Sequence, residues 1–242
     1  MEFIQTIQGE GINVGKPVIL VRFDGCNLRC SFCDTKQASL SEKETSSEVI
    51  TNRINNLKQY FPNITTLLIT GGEPLYNKHF IHVIKTQQDM GFEIETNGTL
   101  LKNIFEFEKD YAYFRGELQL NISPKFDLVS HGPEVTCIGN VFSIYKEQFK
   151  IMMDTGFNNY IVKFVYGTYM KNCEEIILSF IIANNIPKEK VVLMPFTPDK
   201  TDFKLPSDFL ASFNENAKRT ILLCLKHGFR YSPREHITLN IK

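Results

Sequence analysis

Six short apolar runs, each bounded by turn residues, recur along the 242-residue chain and constrain its fold more than any other feature. Several are dense in Val, Ile and Leu, as strands buried on both faces of a parallel sheet should be. Segments long enough for helices lie between them, and this alternation is typical of parallel strands joined by crossover helices. The predicted strands span residues 18–23, 65–70, 92–95, 117–122, 160–165 and 191–194.

Local capping signals predict where the helices begin and end. A capping box at residues 45–48 opens the first helix, which must end before Pro62. Ser207 is expected to cap the last helix, at 207–227, and Gly228 to end it. The other predicted helices cover residues 77–90, with Gly91 as a stop, 141–154 and 169–184.

The number of strand–helix units selects the architecture. Six units are too few for a complete eight-fold barrel. We therefore predict an α/β fold built as a partial (β/α) barrel of about six parallel strands, with a doubly wound sheet as the alternative. Because neither a low-complexity segment nor a clear linker interrupts the chain, residues 1–242 are expected to form a single domain.

Charge and hydropathy argue against two classes of partner. The chain carries 27 basic and 27 acidic residues and no dense Lys/Arg run, so it lacks the basic footprint of a nucleic-acid-binding protein. No apolar run reaches the roughly 18 residues that span a bilayer. The first residues also lack the layout of a signal peptide. These observations predict a cytoplasmic protein that binds neither nucleic acid nor membrane.

Three of the six cysteines, Cys26, Cys30 and Cys33, are crowded into eight residues. In a reducing compartment such thiols are better interpreted as metal ligands or redox groups than as a disulfide framework. Thiolates suit iron–sulfur clusters or zinc. Three ligands leave one iron of a cubane cluster without a protein ligand, as a reactive centre needs. A structural zinc site usually has four ligands, and a disulfide would leave one thiol over.

Unusual short motifs follow the predicted strands. In parallel α/β proteins ligands bind at the carboxyl ends of the strands, and the cysteine segment follows the first of them. The other motifs are Gly-Gly-Glu-Pro at 71–74, Glu-Thr-Asn-Gly at 95–98, Ser-Pro-Lys at 123–125 and Met-Pro at 194–195. The sequence therefore predicts one site on this rim.

The pattern Cys26-x3-Cys30-x2-Cys33 resembles the cluster motif of the radical S-adenosylmethionine (SAM) enzymes, and 71–74 resembles their glycine-rich element. This resemblance implies a [4Fe-4S] cluster and SAM as cofactors. In that superfamily one electron from the cluster cleaves SAM to a 5′-deoxyadenosyl radical, which abstracts hydrogen from the substrate. Glycines beside a ligand suit a close approach of the backbone.

Longer motifs resemble one family within that superfamily, the 7-carboxy-7-deazaguanine synthases. They occupy residues 6–11, 15–17, 21–30, 32–35, 70–74, 95–99, 122–125 and 230–234. The resemblance runs nearly end to end and implies a radical SAM lyase of queuosine and other deazapurine biosynthesis. The implied reaction contracts the ring of 6-carboxy-5,6,7,8-tetrahydropterin to give 7-carboxy-7-deazaguanine and ammonia.

The resemblance implies three groups of site residues, at the positions of this sequence that match the family's motifs. The substrate would contact Ile7, Gln8, Gly9, Arg22 and Thr70. SAM would contact Phe32, Cys33, Asp34, Gly72, Ser123, Pro124 and Lys125. Thr35 would contact Mg²⁺, which prefers hard oxygen ligands. An ordinary turn at residues 7–9, a surface Lys125 and a surface Thr35 remain the alternatives.

The same resemblance implies partners. It implies a homodimer and an electron donor such as a flavodoxin or a ferredoxin. A glycyl-radical-enzyme activase is the alternative enzyme, although the Gln8-Gly9-Glu10 element and Arg22 argue against it. A structural zinc or electron-transfer module is the non-enzymatic alternative.

Overall fold

A computed structural model describes residues 1–30, 33, 45–105, 117–126, 138–167, 170–198, 202–239 and 241. Within these ranges one sheet of eight strands runs in chain order. The strands are β1 (Glu2–Ile7), β2 (Pro17–Phe23), β3 (Thr66–Gly71), β4 (Gly91–Thr96), β5 (Leu118–Ile122), β6 (Tyr160–Tyr166), β7 (Val191–Pro195) and β8 (Arg230–Tyr231).

Strand order settles the choice between the two predicted architectures. β1 pairs with β2 in the antiparallel sense, and each later neighbouring pair among the described strands is parallel. The order never reverses along the sheet, so it has none of the switch points that define a doubly wound sheet, and that alternative is wrong. The predicted α/β fold with an open arrangement of parallel strands is confirmed, with the predicted runs forming β2–β7.

Two strands escaped the sequence prediction, for different reasons. β8 has only two residues and is too short to show a hydrophobic pattern. β1 lies at the antiparallel edge and mixes polar with apolar residues, so it does not resemble the buried parallel strands.

The described helices lie between the parallel strands and after β8. They are α1 (Ser47–Tyr60), α2 (Phe80–Thr86), α3 (Lys102–Phe105), α4 (Ile138–Asp154), α5 (Cys173–Ala183), α6 (Pro206–His227) and α7 (Glu235–Thr238). Short 3₁₀ turns occur at Gly11–Asn13, Pro74–Tyr76 and Lys188–Lys190.

Helix ends agree with the sequence where a cap or a proline fixes them. The Ser46 hydroxyl accepts a hydrogen bond from the Val49 amide at 3.3 Å, so the cap lies one residue after the Thr45 that begins the predicted capping box, and α1 ends before Pro62 as predicted. Gly228 ends α6 with φ of 73°, in the left-handed region that suits glycine. Ser207 does not cap α6, because Pro206 already occupies its first turn.

Helix α2 is shorter than the predicted 77–90. The Asn77 side chain accepts a hydrogen bond from the His79 amide at 2.9 Å and forms a turn where the pattern predicted helix. At the other end the Met90 amide bonds to the Gln87 carbonyl at 3.0 Å, and Gly91 begins β4 rather than ending the helix.

The two faces of the sheet differ in chemistry, because successive side chains of a strand point to opposite faces. One face packs against the helices in the main hydrophobic core, which includes Val21, Ile69 and Ile94 from the strands and Phe180 from α5. The positions between them form the inner face, which carries a small apolar group, Ile4, Val18, Leu20 and Leu68, and then a row of polar side chains. That row contains Arg22, Thr70, Glu93, Glu95, Asn121 and Lys163.

Over the ranges given above, none of the helices is both long and apolar enough to cross a membrane.

Candidate active site

The cysteine loop (residues 24–30 with Cys33) leaves the carboxyl end of β2 and lies on the end of β3. The Gly72 and Glu73 amides donate to the carbonyls of Phe23 and Gly25 at 3.2 and 2.9 Å. A Cβ atom added at Gly72 would lie 2.8 Å from Cys26 Cβ and closer still to the Gly25 carbonyl. Only glycine therefore lets the two segments pack this closely.

The three thiols of the cysteine loop are half-buried. The Leu28 amide donates to Cys26 Sγ at 3.4 Å, and the Cys33 amide donates to the Cys30 carbonyl at 3.3 Å. Burial raises the pKa of the Cys26 thiol, although the hydrogen bond from the Leu28 amide opposes the shift.

A donor set of three thiols fits an iron–sulfur cluster. Across the described part of the chain, no three His, Cys, Asp or Glu side chains converge closely enough to hold a single metal ion. A cubane cluster does not require such convergence, because each of its thiolate ligands binds a different iron.

Asparagine and threonine side chains tie the cysteine loop to the end of β4. Asn27 Nδ2 donates to Thr99 Oγ1 at 2.8 Å, and Asn97 Nδ2 donates to Asn27 Oδ1 at 3.0 Å. The Glu-Thr-Asn-Gly motif at 95–98 is therefore in contact with the segment that carries the cysteines, as expected if both belong to one rim.

Glu73 joins the ends of β3 and β4 from a fully buried position. Its carboxylate accepts hydrogen bonds from the Leu75 amide at 3.0 Å, from Thr96 Oγ1 at 2.8 Å and from the Asn97 amide at 2.7 Å. Burial raises the pKa of Glu73 to about 7, although these donors oppose the shift. Glu73 fixes the rim beside the cysteines.

Tyr145 of α4 links the next pair of strand ends. Its buried hydroxyl donates to the Asn97 carbonyl at 3.0 Å and accepts from the Lys125 amide at 2.9 Å. Lys125 Nζ in turn donates to Ser123 Oγ at 3.0 Å. Gly98, with φ of 80°, leaves room here, since a Cβ would lie 2.6 Å from Ile122 Cγ2. The motifs after β4 and β5 are thus held together.

A second group of side chains, the inner carboxylate cluster, lies on the inner face and comprises Glu10, Glu93, Glu95, Lys163 and Arg234. Glu93 is buried and accepts hydrogen bonds from three side-chain amides. Their donors are Gln8 Nε2 at 2.5 Å, Asn13 Nδ2 at 2.9 Å and Asn121 Nδ2 at 2.7 Å. Gln8 and Asn121 also donate to Glu95 Oε1, at 3.1 and 2.8 Å, so the same amides serve both carboxylates.

Lys163 and Arg234 supply the positive charge of the inner carboxylate cluster. Lys163 Nζ lies 2.9 Å from Glu10 Oε2 and 2.5 Å from Glu95 Oε2, and Arg234 Nε lies 2.9 Å from Glu10 Oε1. Although burial opposes it, the charges of Lys163 and Arg234 hold the pKa of Glu10 well below its usual range. Burial raises the pKa of Glu95 despite Lys163.

The structure distributes the predicted substrate residues over neighbouring positions. Gln8 lies in the inner carboxylate cluster. Gly9 packs on α7, where an added Cβ would lie 3.1 Å from His236 Cγ. Ile7 ends β1, and Arg22 and Thr70 are register partners on β2 and β3. Arg22 Nε bonds to Glu2 Oε2 at 3.1 Å, so its contact with a substrate carboxylate stays a prediction.

The predicted cofactor residues are only partly described. Cys33, Gly72, Ser123, Pro124 and Lys125 lie at the carboxyl ends of β2, β3 and β5. Phe32, Asp34 and Thr35 lie outside the described residues, so their predicted contacts with SAM and Mg²⁺ stay predictions.

The residues of the inner carboxylate cluster are not among the site residues predicted from the sequence. A signal was available, because Lys163 stands in the apolar run Tyr-Ile-Val-Lys-Phe-Val-Tyr and Glu93 and Glu95 alternate with apolar residues in β4. A charge on a buried strand is costly unless it is paired. Such charges on separate strands should therefore meet on one face.

Comparisons with known proteins agree with this geometry. The model of the Radical SAM superfamily matches residues 20–177. The 7-carboxy-7-deazaguanine synthase of Aquifex aeolicus is 32% identical over 165 residues, which cover 67% of this chain and 68% of the relative. That of Hyperthermus butylicus is 28% identical over 246 residues, covering 100% and 92%. That of Rickettsia prowazekii is 42% identical over 104 residues, covering 41% and 44%, so this match spans less than half of the relative's length.

Solved structures share the fold at lower identity. QueE from Escherichia coli superimposes with a TM-score of 0.57 and 18% identity over 97% of this chain and 92% of that one. SuiB from Streptococcus suis, bound to the precursor peptide SuiA, gives a TM-score of 0.55 and 14% identity over 88% and 47%. These structures share the fold, and the sequence matches place the chain: it belongs to the radical SAM superfamily and, within it, to the family of 7-carboxy-7-deazaguanine synthases.

Proposed function

We propose that this chain catalyses the ring contraction of 6-carboxy-5,6,7,8-tetrahydropterin to 7-carboxy-7-deazaguanine, with loss of ammonia. The observation that carries the proposal is the position of the cysteine loop. It is held by Gly72 and Glu73 at the carboxyl end of the same parallel strands whose inner face bears the carboxylate cluster. The relatives named above carry the name of this activity.

The cysteine loop and the neighbouring strand ends form the cofactor side of the proposed site. Cys26, Cys30 and Cys33 would hold a [4Fe-4S] cluster, and Gly72 and the run 123–125 would contact SAM. When bound, the cluster and SAM supply the radical that removes hydrogen from the substrate. The chain itself fixes the rim through the buried contacts of Glu73 and Tyr145.

The inner face forms the substrate side. A pterin ring presents amino and ring N–H donors, which need acceptors in a buried site. Glu10 and Glu95 supply carboxylate oxygens there, and Gln8 supplies an amide. Arg22, on the same face, offers a guanidinium group for the substrate carboxylate and would exchange its contact with Glu2 for one with the substrate.

Further features of the proposal follow from the family resemblance. Thr35 would contact Mg²⁺ together with substrate oxygens. The protein would act in the cytoplasm as a homodimer of one domain per chain, residues 1–242. It would receive electrons from a flavodoxin or a ferredoxin.

Anaerobic turnover tests the proposed function. The protein is reconstituted with iron and sulfide and incubated with SAM, a reductant, Mg²⁺ and the carboxylated pterin, and the products are identified by mass spectrometry. We expect 7-carboxy-7-deazaguanine from the wild type and from Cys224→Ala, which removes a buried thiol of α6. Cys30→Ala should give none. A colourless, zinc-loaded wild type, or product formation by Cys30→Ala, would contradict the proposal.

A further inference from the structure

Lys163 is the most deeply buried cation of the inner carboxylate cluster. Its side chain is 1% exposed, and its ammonium group contacts one carboxylate from the segment after β1 and one from β4. It therefore connects three separate parts of the chain, since Lys163 itself lies on β6. Gly11 packs beside the aliphatic stem of Lys163, because a Cβ added at Gly11 would lie 3.8 Å from Lys163 Cδ.

Stability alone is a poor explanation for such a lysine. Taking a lysine and two glutamates out of water costs more than their attraction reliably returns, and apolar residues of similar volume often serve as well or better. The neighbouring positions of the same face show the apolar solution, since Val18, Leu20 and Leu68 pack there without charge. The lysine is better explained by what it does to the two carboxylates.

We propose that Lys163 is a positioning residue that holds Glu10 and Glu95 ionised and oriented as a pair of acceptors for the donor edge of the substrate ring. The identity of that ring rests on the proposed function. In the described part of the chain, the charged and titratable groups around the pair are Lys163 from β6, Glu93 from β4, Arg234 next to α7 and His236 in α7, whose Nε2 lies 3.7 Å from Glu10 Oε1.

The charges of the cluster explain why the lysine is needed. The inner carboxylate cluster contains three carboxylates and two permanently cationic side chains. Arg234 Nε contacts Glu10 Oε1, whereas Lys163 contacts the other oxygen, Oε2. Arg234 therefore does not take the place of Lys163 between Glu10 and Glu95. The side chains of Glu10 and Glu95 are 15% and 18% exposed, and without Lys163 these half-buried carboxylates would face each other and one would take up a proton. A protonated carboxyl offers one acceptor fewer to a ring N–H group.

Substrate binding provides the first test. Binding of the carboxylated pterin to the reconstituted enzyme with SAM and Mg²⁺, without reductant, is measured by anaerobic calorimetry between about pH 6 and pH 9. Lys163→Met should raise the Kd by about 10- to 100-fold at neutral pH. The difference in Kd between Lys163→Met and wild type should shrink as pH rises, because the carboxyl group that takes up a proton in the variant then loses it. Lys150→Met, at an exposed ion pair of α4, should match wild type.

A purely structural lysine would behave differently. It would lower the thermal midpoint of Lys163→Met without a change in pterin affinity, or with a change that does not vary with pH. Either result would overturn the proposal.

A second measurement does not depend on the substrate. Glutamate labelled with ¹³C at the side-chain carboxyl reports the ionisation of each buried Glu by NMR. In Lys163→Met we expect an additional carboxyl that titrates near neutral pH and that disappears in Lys163→Met with Glu95→Gln. No additional titration would overturn the proposal. If it appears while wild type binds no pterin, the role of Lys163 stands and the proposed function fails.

The double variant also covers the case in which Lys163→Met does not fold. Lys163→Met with Glu95→Gln removes one charge of each sign and leaves no unpaired buried charge at this contact, so it should fold. Its Kd for the pterin should remain at least about 10-fold above that of the wild type, because one carboxylate acceptor is missing. The ratio of the two Kd values should be the same at every pH. Wild-type affinity in the double variant would refute the assigned role.

Discussion

The Tyr145 hydroxyl bridges the strand ends that carry two of the rim motifs, and its removal gives a measurable loss of stability. It donates to the Asn97 carbonyl at 3.0 Å and accepts from the Lys125 amide at 2.9 Å, with no exposure to solvent. Tyr145→Phe removes both hydrogen bonds and leaves a carbonyl and an amide without this partner. At about 1–1.5 kcal/mol for each bond, we expect a loss of about 2–3 kcal/mol in the free energy of unfolding.

Chemical denaturation of the cluster-free protein, followed by circular dichroism, measures this loss. In a chain of this size it corresponds to a fall of about 4–12 °C in the thermal midpoint. Tyr160→Phe is the matched control, because the Tyr160 hydroxyl contacts only the Met153 sulfur, at 3.8 Å, among the hydrogen-bonding groups described. It should lose less than about 0.5 kcal/mol. A Tyr145→Phe loss as small as the control's would refute the bridging role.

Three further predictions follow from other parts of the structure. Gly72→Ala should abolish stable cluster loading, measured as iron content after reconstitution, because its Cβ would displace Cys26; normal loading would contradict the packing described. Phe180→Ala should lower the free energy of unfolding in urea by about 3–5 kcal/mol, since the Phe180 ring packs against five others, those of Phe126, Phe142, Tyr145, Phe149 and Phe164. A loss below about 1.5 kcal/mol would contradict a central place for this ring in the core. Because the pKa of Glu10 is lowered, its carboxylate stabilises the fold above its ordinary value of 4.5, and this contribution is lost as pH falls through the lower, folded-state value. Glu10→Gln should therefore differ most from wild type near neutral pH, and a difference that grows on acidification would be the wrong sign.

Sequence patterns predicted the strands well because burial on both faces leaves a continuous apolar run. All six predicted runs correspond to strands of the sheet, and each predicted end lies within one residue of the observed end. Helix ends were predictable where one residue fixes them, as Pro62 and Gly228 do. The start of α6 and the length of α2 were not, since a proline in the first turn and an asparagine turn override the simple pattern.

The candidate site divides in the same way. The cysteine spacing and the motifs after β3, β4 and β5 are contiguous in sequence, and a resemblance to a family could be recognised from them alone. The inner carboxylate cluster is not contiguous. Its members come from residues 10, 93, 95, 163 and 234, and contacts between residues so far apart depend on the order and register of the strands.

The sequence by itself determined the α/β class, the thiol donor set and the glycine-rich element that follows β3. Each depends on residue type and local spacing. Only the tertiary structure decided that Lys163 lies between Glu10 and Glu95 and that Arg22 meets Glu2. The physical reason is that a buried charge requires a partner, but the choice of partner is made by which strands are neighbours and which face each side chain takes.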